Sequence, residues 1–304
     1  MKLENSKVLV TGGSGFIGYH LVKNLVEIGC NVTVADIKHP KETENNKSIS
    51  TITIDISDWT RFKDLGKFDL IFHLAACAAP KSCEENPDVA FRTNVQGTYN
   101  VLRFAVESHA SKVIFPSSAL LYGKYPKYLP VNEDHPVELN SVYNITKKID
   151  EDLCELFIRR FNLPVVYFRL FNCFGPRQEP EYFLPTVILQ ALKTKQIEIW
   201  NDKPTRDFTF VEDTVDAFIK AAESDFVGGP LNVGSGVELR VGDIAQEIAS
   251  KLGVRLNVLN KEVIGSMRLF CDNSKIRKEL NWKPKVPFKD ALKLTIDWYR
   301  QNTK

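Results

Sequence analysis

One stretch constrains the fold of this chain more than any other: the segment KVLVTGGSGFIGYHLV at residues 7–22. A β-rich run leads into a glycine cluster, and an amphipathic helical pattern follows without a break. Gly12, Gly15 and Gly18 satisfy G-x-x-G-x-x-G, and Gly13 extends the match to G-x-G-x-x-G. Glycines let the backbone turn tightly and approach a pyrophosphate, which then lies at the positive end of the helix dipole. The segment therefore predicts a diphosphate site between a strand and a helix.

The first half of the chain alternates between β-rich runs and helical patterns. The β-rich runs are KVLVTG, NVTVAD, ISTITID, FDLIFHLA, KVIFPSS and PVVYFRLFN. Their continuous apolar character is typical of parallel strands that are covered on both faces. Helices are predicted over 16–28, 88–108 and 141–161, the last capped by Asn140 or Ser141. This alternation predicts an α/β fold with a Rossmann-like, doubly wound parallel sheet.

The sequence pattern changes after about residue 172, where the predicted elements become shorter and prolines separate them. The segments LNVGSG (231–236) and NWKPKVPF (281–288) are predicted to be loops. We expect residues 1–171 to form the dinucleotide-binding domain, with 207–233 returning to it. Residues 172–206 and 234–304 are expected to form a smaller C-terminal lobe that binds the substrate.

Composition limits the partners of the protein. Its 304 residues, 43% of them hydrophobic, suffice for one large core or for a core plus a lobe. The formal net charge is +2 and no basic stripe appears, so we expect no nucleic-acid partner. The apolar runs are too short to cross a bilayer and the N-terminus lacks an apolar signal core, so we expect a cytoplasmic protein without a membrane partner. The six cysteines and five histidines are dispersed, which favours reduced thiols and no metal site.

Two carboxylates follow the strands beyond the glycine cluster. Asp36 ends the second predicted strand, 18 residues after Gly18, where a carboxylate accepts hydrogen bonds from both hydroxyls of an adenosine ribose. Because a carboxylate at this position repels a 2′-phosphate, Asp36 favours NAD over NADP. Asp55 follows the third strand and either meets the adenine edge or caps its own loop. The expected cofactor is NAD.

A nicotinamide cofactor requires a neighbouring group that moves a proton. The segment YNITK places Tyr143 and Lys147 one helical turn apart on the same helix face. A phenol has a pKa of about 10, and bringing it near 7 requires about 4 kcal/mol of phenolate stabilisation, which an ammonium and a positive nicotinamide can supply together. Ser117 and Ser118 end the fifth strand, at the edge where open α/β sheets bind ligands. Each of these serines can donate a hydrogen bond to a substrate hydroxyl.

With these features in order, the sequence resembles the extended short-chain dehydrogenases/reductases that act on nucleotide sugars. The resemblance covers nearly the whole chain and rests on TGGSGFIG (11–18), HLAA (73–76), NVQGT (94–98), PSSALLYG (116–123), SVYNITKKIDE (141–151), FRLFNCFGPRQ (168–178), RDFTFVEDTVDA (206–217), NVGSG (232–236) and DNSKIRKELNWKP (272–284). It implies that Tyr143 is the catalytic base and that Ser118 orients the reacting hydroxyl. It implies that Lys147 holds the nicotinamide ribose and lowers the pKa of the tyrosine. It also implies a homodimer that packs the helices predicted over 88–108 and 141–161.

The same resemblance implies contacts to a cofactor and to a nucleotide-sugar substrate. The residues implied in NAD binding are Gly12, Gly15, Phe16, Ile17, Gly18, Asp36, Asp55, Ile56, Leu74, Ala75, Ala76, Asn94, Tyr143 and Lys147. On the substrate, Ser118 is implied at the sugar and Asn172 at the diphosphate, with Arg206 and Arg268 as phosphate partners. Guanidinium groups suit this role because they bind phosphate oxygens in pairs. For Arg268, a surface salt bridge is an equal alternative.

The three residues after Ser118 separate the members of this family. Dehydrating relatives resemble T-D-E-V-Y-G there and decarboxylating relatives keep a glutamate, whereas this chain has Ala119, Leu120 and Leu121. The segment offers no carboxylate to carry an extra proton, which argues against a 4,6-dehydratase. What remains resembles a UDP-glucose/UDP-galactose 4-epimerase, or its N-acetylated equivalent, acting through a transient 4-keto sugar. The alternatives are a 4-ketoreductase or dehydratase of the same family and a non-catalytic NAD-sensing protein.

Overall fold

The computed structural model describes residues 2–39, 48–263 and 265–303. In this part of the chain the strands are β1 (Lys7–Thr11), β2 (Asn31–Asp36), β3 (Ile49–Thr53), β4 (Leu70–His73), β5 (Lys112–Ser118), β6 (Val165–Leu170), β7 (Asn172–Phe174), β8 (Gln196–Ile199), β9 (Thr205–Arg206), β10 (Phe208–Phe210), β11 (Gly228–Val233), β12 (Leu239–Arg240), β13 (Arg255–Val258) and β14 (Arg268–Leu269). Seven of them form one sheet in the order β11-β6-β5-β4-β1-β2-β3, with every pairing parallel. The predicted Rossmann-like parallel sheet is confirmed.

Helices connect and cover these strands. Those of the described residues are Phe16–Ile28, Trp59–Phe62, Pro80–Glu85, Pro87–Ala90, Gly97–Glu107, Val142–Phe161, Phe183–Thr194, Val211–Glu223, Val241–Leu252, Ser274–Leu280 and Phe288–Asn302. A wide π-type turn over Phe91–Gln96 joins two of them into one continuous helical segment, and a short 3₁₀ turn spans Ala119–Tyr122. The helix predicted over 88–108 is therefore present with an irregular turn inside it.

The two faces of the sheet carry separate hydrophobic cores, which explains the continuous apolar runs. Val8 and Val10 of β1 point into one core, while Leu9 between them points into the other, because successive strand residues face opposite sides. The first core is closed by the Phe16–Ile28 and Val211–Glu223 helices. The second core is closed by the helices Gly97–Glu107 and Val142–Phe161.

A third core lies in the C-terminal part of the chain. It is formed by the helices Phe183–Thr194, Val241–Leu252 and Phe288–Asn302 together with the short strands β8 and β10. β8 pairs in parallel with β13, and β10 pairs in parallel with β7. This lobe therefore has its own small sheets and does not extend the central one.

The segment LNVGSG was predicted to be a loop, and this prediction was wrong for its first three residues. Gly228–Val233 forms β11, which pairs in parallel with β6 through Leu231 and Val233 at the edge of the central sheet. Both side chains are buried in the first core. The glycines and proline before Leu231 resemble a turn in sequence, and burial against β6 outweighs that local preference.

The order of the sheet positions the functional site. From β1 the chain winds outward to β2 and β3, and then returns to place β4, β5 and β6 on the other side of β1. Ligands of doubly wound sheets bind outside the carboxyl ends of the strands at this reversal, between β1 and β4. The glycine cluster follows β1, HLAA follows β4, and the two serines end β5, so all three lie at that edge.

Candidate active site

The glycine cluster after β1 forms a turn that leaves no room for side chains. Gly12 has φ +68°, and a Cβ on it would lie 2.5 Å from the backbone nitrogen of Ala75. A Cβ on Gly18 would lie 2.2 Å from the carbonyl oxygen of Gly12, so the first turn of the helix packs directly on the loop. Gly15 is the N-cap of the Phe16–Ile28 helix, and no side chain caps that end. The backbone N–H groups of the first helical turn are thus left for a ligand.

A cavity of about 1540 Å³ opens at this edge and continues to the C-terminal lobe. Most residues predicted to bind cofactor or substrate line it: Gly12, Gly15, Phe16, Ile17, Gly18, Asp36, Asp55, Ile56, Leu74, Ala75, Ala76, Ser118, Tyr143, Lys147, Asn172 and Arg206. Two predicted residues, Asn94 and Arg268, are absent from the described lining. The structure therefore brings the two predicted sets together around one space, except for these two side chains.

The carboxylate of Asp36 fixes the glycine turn. Its Oδ2 accepts a hydrogen bond from the backbone N–H of Ser14 at 3.1 Å, and its Oδ1 accepts one from the N–H of Ile37 at 2.8 Å. Asp55 is engaged in its own loop, where Oδ1 accepts from the backbone N–H of Ser57 at 2.9 Å and from its hydroxyl at 2.7 Å. Both residues also line the cavity.

Tyr143 lies near the start of the Val142–Phe161 helix, which Ser141 caps by accepting a hydrogen bond from the N–H of Asn144 at 3.1 Å. The phenol is 7% exposed and hydrogen-bonds with Ser118. Burial raises the pKa of Tyr143 to about 12, and the hydrogen bond with Ser118 opposes that rise. The protein alone therefore keeps the phenol protonated at neutral pH.

Lys147 lies one turn further along the same helix and is largely buried at the cavity wall. Its Nζ donates to the carbonyl oxygen of Pro116 at 3.2 Å and lies 4.6 Å from the ring centroid of Phe115. Burial lowers the pKa of Lys147, while the carboxylate of Asp150, 3.8 Å away, raises it. A single buried carboxylate is therefore the main support for the charge of this ammonium.

The two strand-end serines have different partners. Ser117 Oγ donates to Glu151 at 2.7 Å, and Glu151 also accepts two hydrogen bonds from Arg169, at 2.9 and 2.8 Å. Ser118 Oγ instead faces Tyr143 and accepts a hydrogen bond from the N–H of Leu120 at 3.2 Å. Ser117 thus belongs to a buried polar network, and Ser118 is the serine beside the phenol.

Asn94 lies behind the cavity wall rather than on it. Its Oδ1 accepts from the backbone N–H of Cys77 at 2.8 Å, and its Nδ2 donates to Thr146 Oγ1 at 3.0 Å. At 1% exposure it ties the loop after β4 to the helix that carries Tyr143.

On the lobe side of the cavity, Asn172 lies on β7 and Arg206 on β9, two strands of different small sheets. Asn172 Nδ2 donates to the carbonyl oxygen of Asp207 at 2.9 Å, and Arg206 Nη1 donates to that of Thr205 at 2.8 Å. Among the ion pairs of the described residues, none involves Arg206. Arg268 is exposed and forms a two-point ion pair with Glu238, at 2.6 and 2.7 Å. Its guanidinium is therefore engaged in the surface salt bridge that was the alternative prediction.

Several cavity residues were not predicted from the sequence. The lobe contributes Tyr182, Glu179 and Trp200, and the loop after β4 contributes Cys77. Trp200 is 53% exposed, an unusual position for a large aromatic side chain in a lobe with its own core. The stretch EPEYF (179–183), which contains Glu179 and Tyr182, carries no pattern that marks a site, because the position of these two side chains depends on how the lobe packs on the sheet.

Two absences can be stated for the described residues. No group of three or more His, Cys, Asp or Glu side chains in that part of the chain could hold a metal ion. None of the helices described here has the length and apolarity needed to span a bilayer.

Known proteins resemble this chain along its whole length. The model of the NAD dependent epimerase/dehydratase family matches residues 8–234. A putative UDP-glucose 4-epimerase of Methanocaldococcus jannaschii is 31% identical, over 98% of this chain and 99% of that protein. A UDP-N-acetyl-alpha-D-glucosaminuronate decarboxylase of Bacillus cytotoxicus is 32% identical, over 97% of this chain and 98% of that protein.

The fold is shared with a solved structure of the same group. UDP-N-acetylglucosamine 4-epimerase from Methanobrevibacter ruminantium M1, in complex with UDP-N-acetylmuramic acid, superposes with a TM-score of 0.92 at 28% identity. The match covers 99% of this chain and 100% of that one. The family model spans most of the sequence, including the glycine turn, both serines and the tyrosine–lysine pair, so the chain belongs to the NAD dependent epimerase/dehydratase family and is an enzyme of that family.

Proposed function

We propose that the protein interconverts the C4 epimers of a nucleotide sugar, UDP-glucose and UDP-galactose or their N-acetyl forms, through a transient 4-keto sugar. The observation that carries this proposal is the pairing of Tyr143 with Ser118 on the wall of a large cavity, with Lys147 one turn behind. This arrangement provides one proton-transfer group beside the seat of a dinucleotide, which is what a reversible oxidation at a single carbon requires.

The cavity fits NAD on three grounds. The turn at Gly12 and Gly18 admits no Cβ, so a diphosphate can approach the backbone there. The open first turn of the Phe16–Ile28 helix offers N–H groups to that anion. Asp36 ends β2 with a carboxylate, which favours ribose hydroxyls and disfavours a 2′-phosphate. NAD, when bound, supplies a hydride acceptor and donor and places a positive charge beside the phenol.

The chain's own residues handle the proton and the orientation of the sugar. We assign to Tyr143 Oη the removal of the proton from the C4 hydroxyl and its later return to the oxygen at C4. Ser118 Oγ hydrogen-bonds with this phenol and holds the reacting oxygen in line with it. The ammonium of Lys147 stabilises the phenolate electrostatically from beneath and holds the ribose of the cofactor. Because burial keeps the pKa of Tyr143 at about 12, the phenol needs both positive charges to act near neutral pH.

The diphosphate of the substrate is assigned to the lobe side of the cavity. Arg206 is a partly buried residue of the cavity wall for which the described residues supply no ion-pair partner, and Asn172 also lines the cavity. A guanidinium without a carboxylate partner is suited to a phosphate. Arg268 is engaged with Glu238 on the surface, so we assign Arg206 the larger share of the phosphate charge. A clamp at the diphosphate leaves the hexose free to present either face to the same groups.

The residues after Ser118 favour epimerisation over the other reactions of the family. Leu120 is 43% exposed and lines the cavity, whereas Ala119 and Leu121 are buried. The side chain that faces the substrate from this segment is therefore apolar and carries no proton. Relatives of this chain include both 4-epimerases and decarboxylases, and this apolar segment is the feature that favours the epimerase.

We also propose a homodimer formed through the helices Gly97–Glu107 and Val142–Phe161. These helices leave large apolar side chains exposed on their outer faces, namely Tyr99, Ile145, Leu156 and Phe161. A two-fold bundle would cover them. Light scattering after gel filtration tests the dimer, and Leu156→Glu is expected to give a monomer. If the wild-type protein itself has the mass of a single chain, 34.5 kDa, the dimer is contradicted.

The function is tested by supplying nucleotide sugars alone. Purified protein is incubated with UDP-glucose, UDP-galactose and their N-acetyl forms, without added cofactor, and products are resolved by chromatography and proton NMR. We expect conversion of one pair to an equilibrium mixture, with no net oxidation or reduction. Tyr143→Phe is expected to abolish conversion while retaining NAD affinity. Turnover that requires one added NADH per product would instead identify a reductase, and turnover equal to wild type in Tyr143→Phe would remove the tyrosine from the mechanism.

A further inference from the structure

Two cysteines of the loop and helix after β4 lie side by side at the wall of the cavity. The Sγ atoms of Cys77 and Cys83 are 3.2 Å apart, and both thiols are free. Cys77 lines the cavity beside Ala76, a residue predicted to contact the cofactor. Cys83 is fully buried on the Pro80–Glu85 helix, in a small hydrophobic cluster with Tyr143 and Ala90. The pair therefore joins the cavity wall to the residue assigned to proton transfer.

We propose that Cys77 and Cys83 form a redox-active dithiol, whose oxidation to a disulfide by hydrogen peroxide reversibly switches the enzyme off. A disulfide requires the two sulfurs to approach from 3.2 Å to about 2.05 Å, a shift that a short loop and a six-residue helix can accommodate. Five residues separate the cysteines, and the helix begins among them at Pro80. The movement can therefore be taken up by the loop residues before Pro80.

The reaction begins at the accessible sulfur. Cys77 is partly exposed to the cavity, whereas burial raises the pKa of Cys83 to about 12 and keeps it a thiol. The Cys77 thiolate attacks one oxygen of the peroxide and the O–O bond breaks; the Cys77 sulfur becomes a sulfenic acid and hydroxide leaves as water after protonation. The Cys83 sulfur then attacks the Cys77 sulfur, the S–O bond breaks, and hydroxide leaves as a second water with the proton of Cys83. Two thiols lose two electrons and two protons, and one peroxide becomes two waters.

Hydrogen bonds from residues beside the two cysteines reach the helix that carries Tyr143. Glu84, next to Cys83, accepts a hydrogen bond from the backbone N–H of Val142 at 2.7 Å and so holds the first turn of the helix that carries Tyr143. On the other side, Asn94 binds the N–H of Cys77 and also Thr146 of the same helix. Drawing the two sulfurs together therefore strains both attachments of the Tyr143 turn and moves the cavity wall beside it.

The sequence provides a direct readout of the disulfide. Trypsin cleaves after Lys81, between the two cysteines, so the disulfide would join the peptides FDLIFHLAACAAPK (68–81) and SCEENPDVAFR (82–92). Purified protein is titrated with hydrogen peroxide, alkylated under denaturing conditions, digested and analysed by mass spectrometry, and epimerase activity is followed in parallel. We expect the linked peptides to accumulate as activity falls at least tenfold, and dithiothreitol to reverse both changes.

A matched pair of variants separates this dithiol from general thiol damage. Cys83→Ser is expected to form no linked peptide and to require at least fivefold more peroxide for the same fractional loss of its own activity. Cys30→Ser, which removes a buried thiol of the first core bound to the carbonyl of Leu3, is expected to respond like wild type. Activity lost without the linked peptides, linked peptides without lost activity, or equal sensitivity of Cys83→Ser would each overturn the proposal. The mass readout does not depend on which sugar the enzyme uses.

Discussion

The carboxylate of Asp150 lies 3.8 Å from the ammonium of Lys147, one turn apart on one helix, and both side chains are buried. Burial lowers the pKa of Lys147 and raises the pKa of Asp150 to about 6, so each charge is maintained largely by the other. Asp150 also interacts with Thr98 and with Glu151, whose negative charge raises the pKa of Asp150 further. The carboxylate in turn raises the pKa of Tyr143 and of Cys154. The charge assigned to assist Tyr143 therefore depends on a fully buried carboxylate that is absent from the described cavity lining.

Replacing Asp150 with Asn tests this dependence. Without the negative charge, the pKa of Lys147 falls further, because burial then acts on it with less opposition. The basic limb of the kcat profile should therefore move to lower pH, and kcat at pH 8 should fall about tenfold, or about 1.4 kcal/mol. The measurement is kcat for epimerisation between pH 5.5 and pH 9.5.

Asp152→Asn is the matched control for Asp150. Asp152 pairs with Lys148 on the same helix, but its side chain is 65% exposed. A surface pair of this kind contributes little, so its pH profile should overlay that of wild type. An unshifted basic limb in Asp150→Asn would show that Asp150 does not maintain the charge of Lys147.

The two strand-end serines should separate catalysis from folding. Ser118→Ala removes the hydrogen bond to Tyr143 and is expected to lower kcat about 10²-fold with unchanged NAD affinity. Ser117→Ala removes a hydrogen bond to Glu151, so it should cost about 1 kcal/mol of stability and change kcat less than about threefold. Kinetics and urea unfolding of both variants check the assignment, and a larger kcat loss for Ser117→Ala would reverse it.

The glycine turn allows a comparison of two alanine substitutions. A Cβ at Gly18 meets the carbonyl oxygen of Gly12 at 2.2 Å, so Gly18→Ala should displace the loop, lower Tm by several degrees and weaken NAD binding at least about tenfold. A Cβ at Gly15 would lie 3.4 Å from the same oxygen, so Gly15→Ala should keep the Tm within about 2 °C of wild type. Thermal unfolding and titration calorimetry with NAD measure both effects. Equal Tm values for the two variants would contradict the packing argument.

The buried pair of Glu151 and Arg169 should be a structural requirement. Both side chains are nearly inaccessible, and Glu151→Ala leaves the guanidinium buried without its carboxylate, at a cost of about 3–5 kcal/mol in the free energy of unfolding. Glu107→Ala breaks the exposed pair with Arg103 and should cost less than about 1 kcal/mol. Chemical denaturation of both variants gives the comparison, and similar losses would mean that the buried pair adds nothing specific.

Local patterns predicted the elements that depend on neighbours in sequence. The glycine turn and the helix from Phe16 follow from the spacing of a few residues, and continuous apolar runs predicted six strands of the central sheet. The structure selects Ser141 from the two predicted caps. The strand β11 was missed because its glycines and proline resemble a turn, while its strand character comes from burial against β6. The π-type turn over Phe91–Gln96 likewise has no marker in the sequence.

The candidate site was predictable where the chain's motifs are compact. Ser118 and Tyr143 both line the cavity, as the sequence motifs predict. The physical reason to prefer Ser118 over Ser117 comes only from the structure, in which Ser117 is hydrogen-bonded to Glu151. The contact between Cys77 and Cys83 could not be read from a five-residue spacing, because it depends on the bend between a loop and a short helix. The partner of Arg268 depends on Glu238, a residue 30 positions earlier in the sequence.

The most direct test of the proposed reaction follows the hydrogen at C4. UDP-glucose and UDP-N-acetylglucosamine carrying deuterium at C4 are incubated with the protein in ordinary water, and the epimerised product is examined by NMR and mass spectrometry. Oxidation and reduction at one carbon, within one bound complex, predict that the product keeps its deuterium at C4. A product that has lost the label to solvent, or that forms by loss of water or carbon dioxide, would contradict C4 epimerisation by this enzyme.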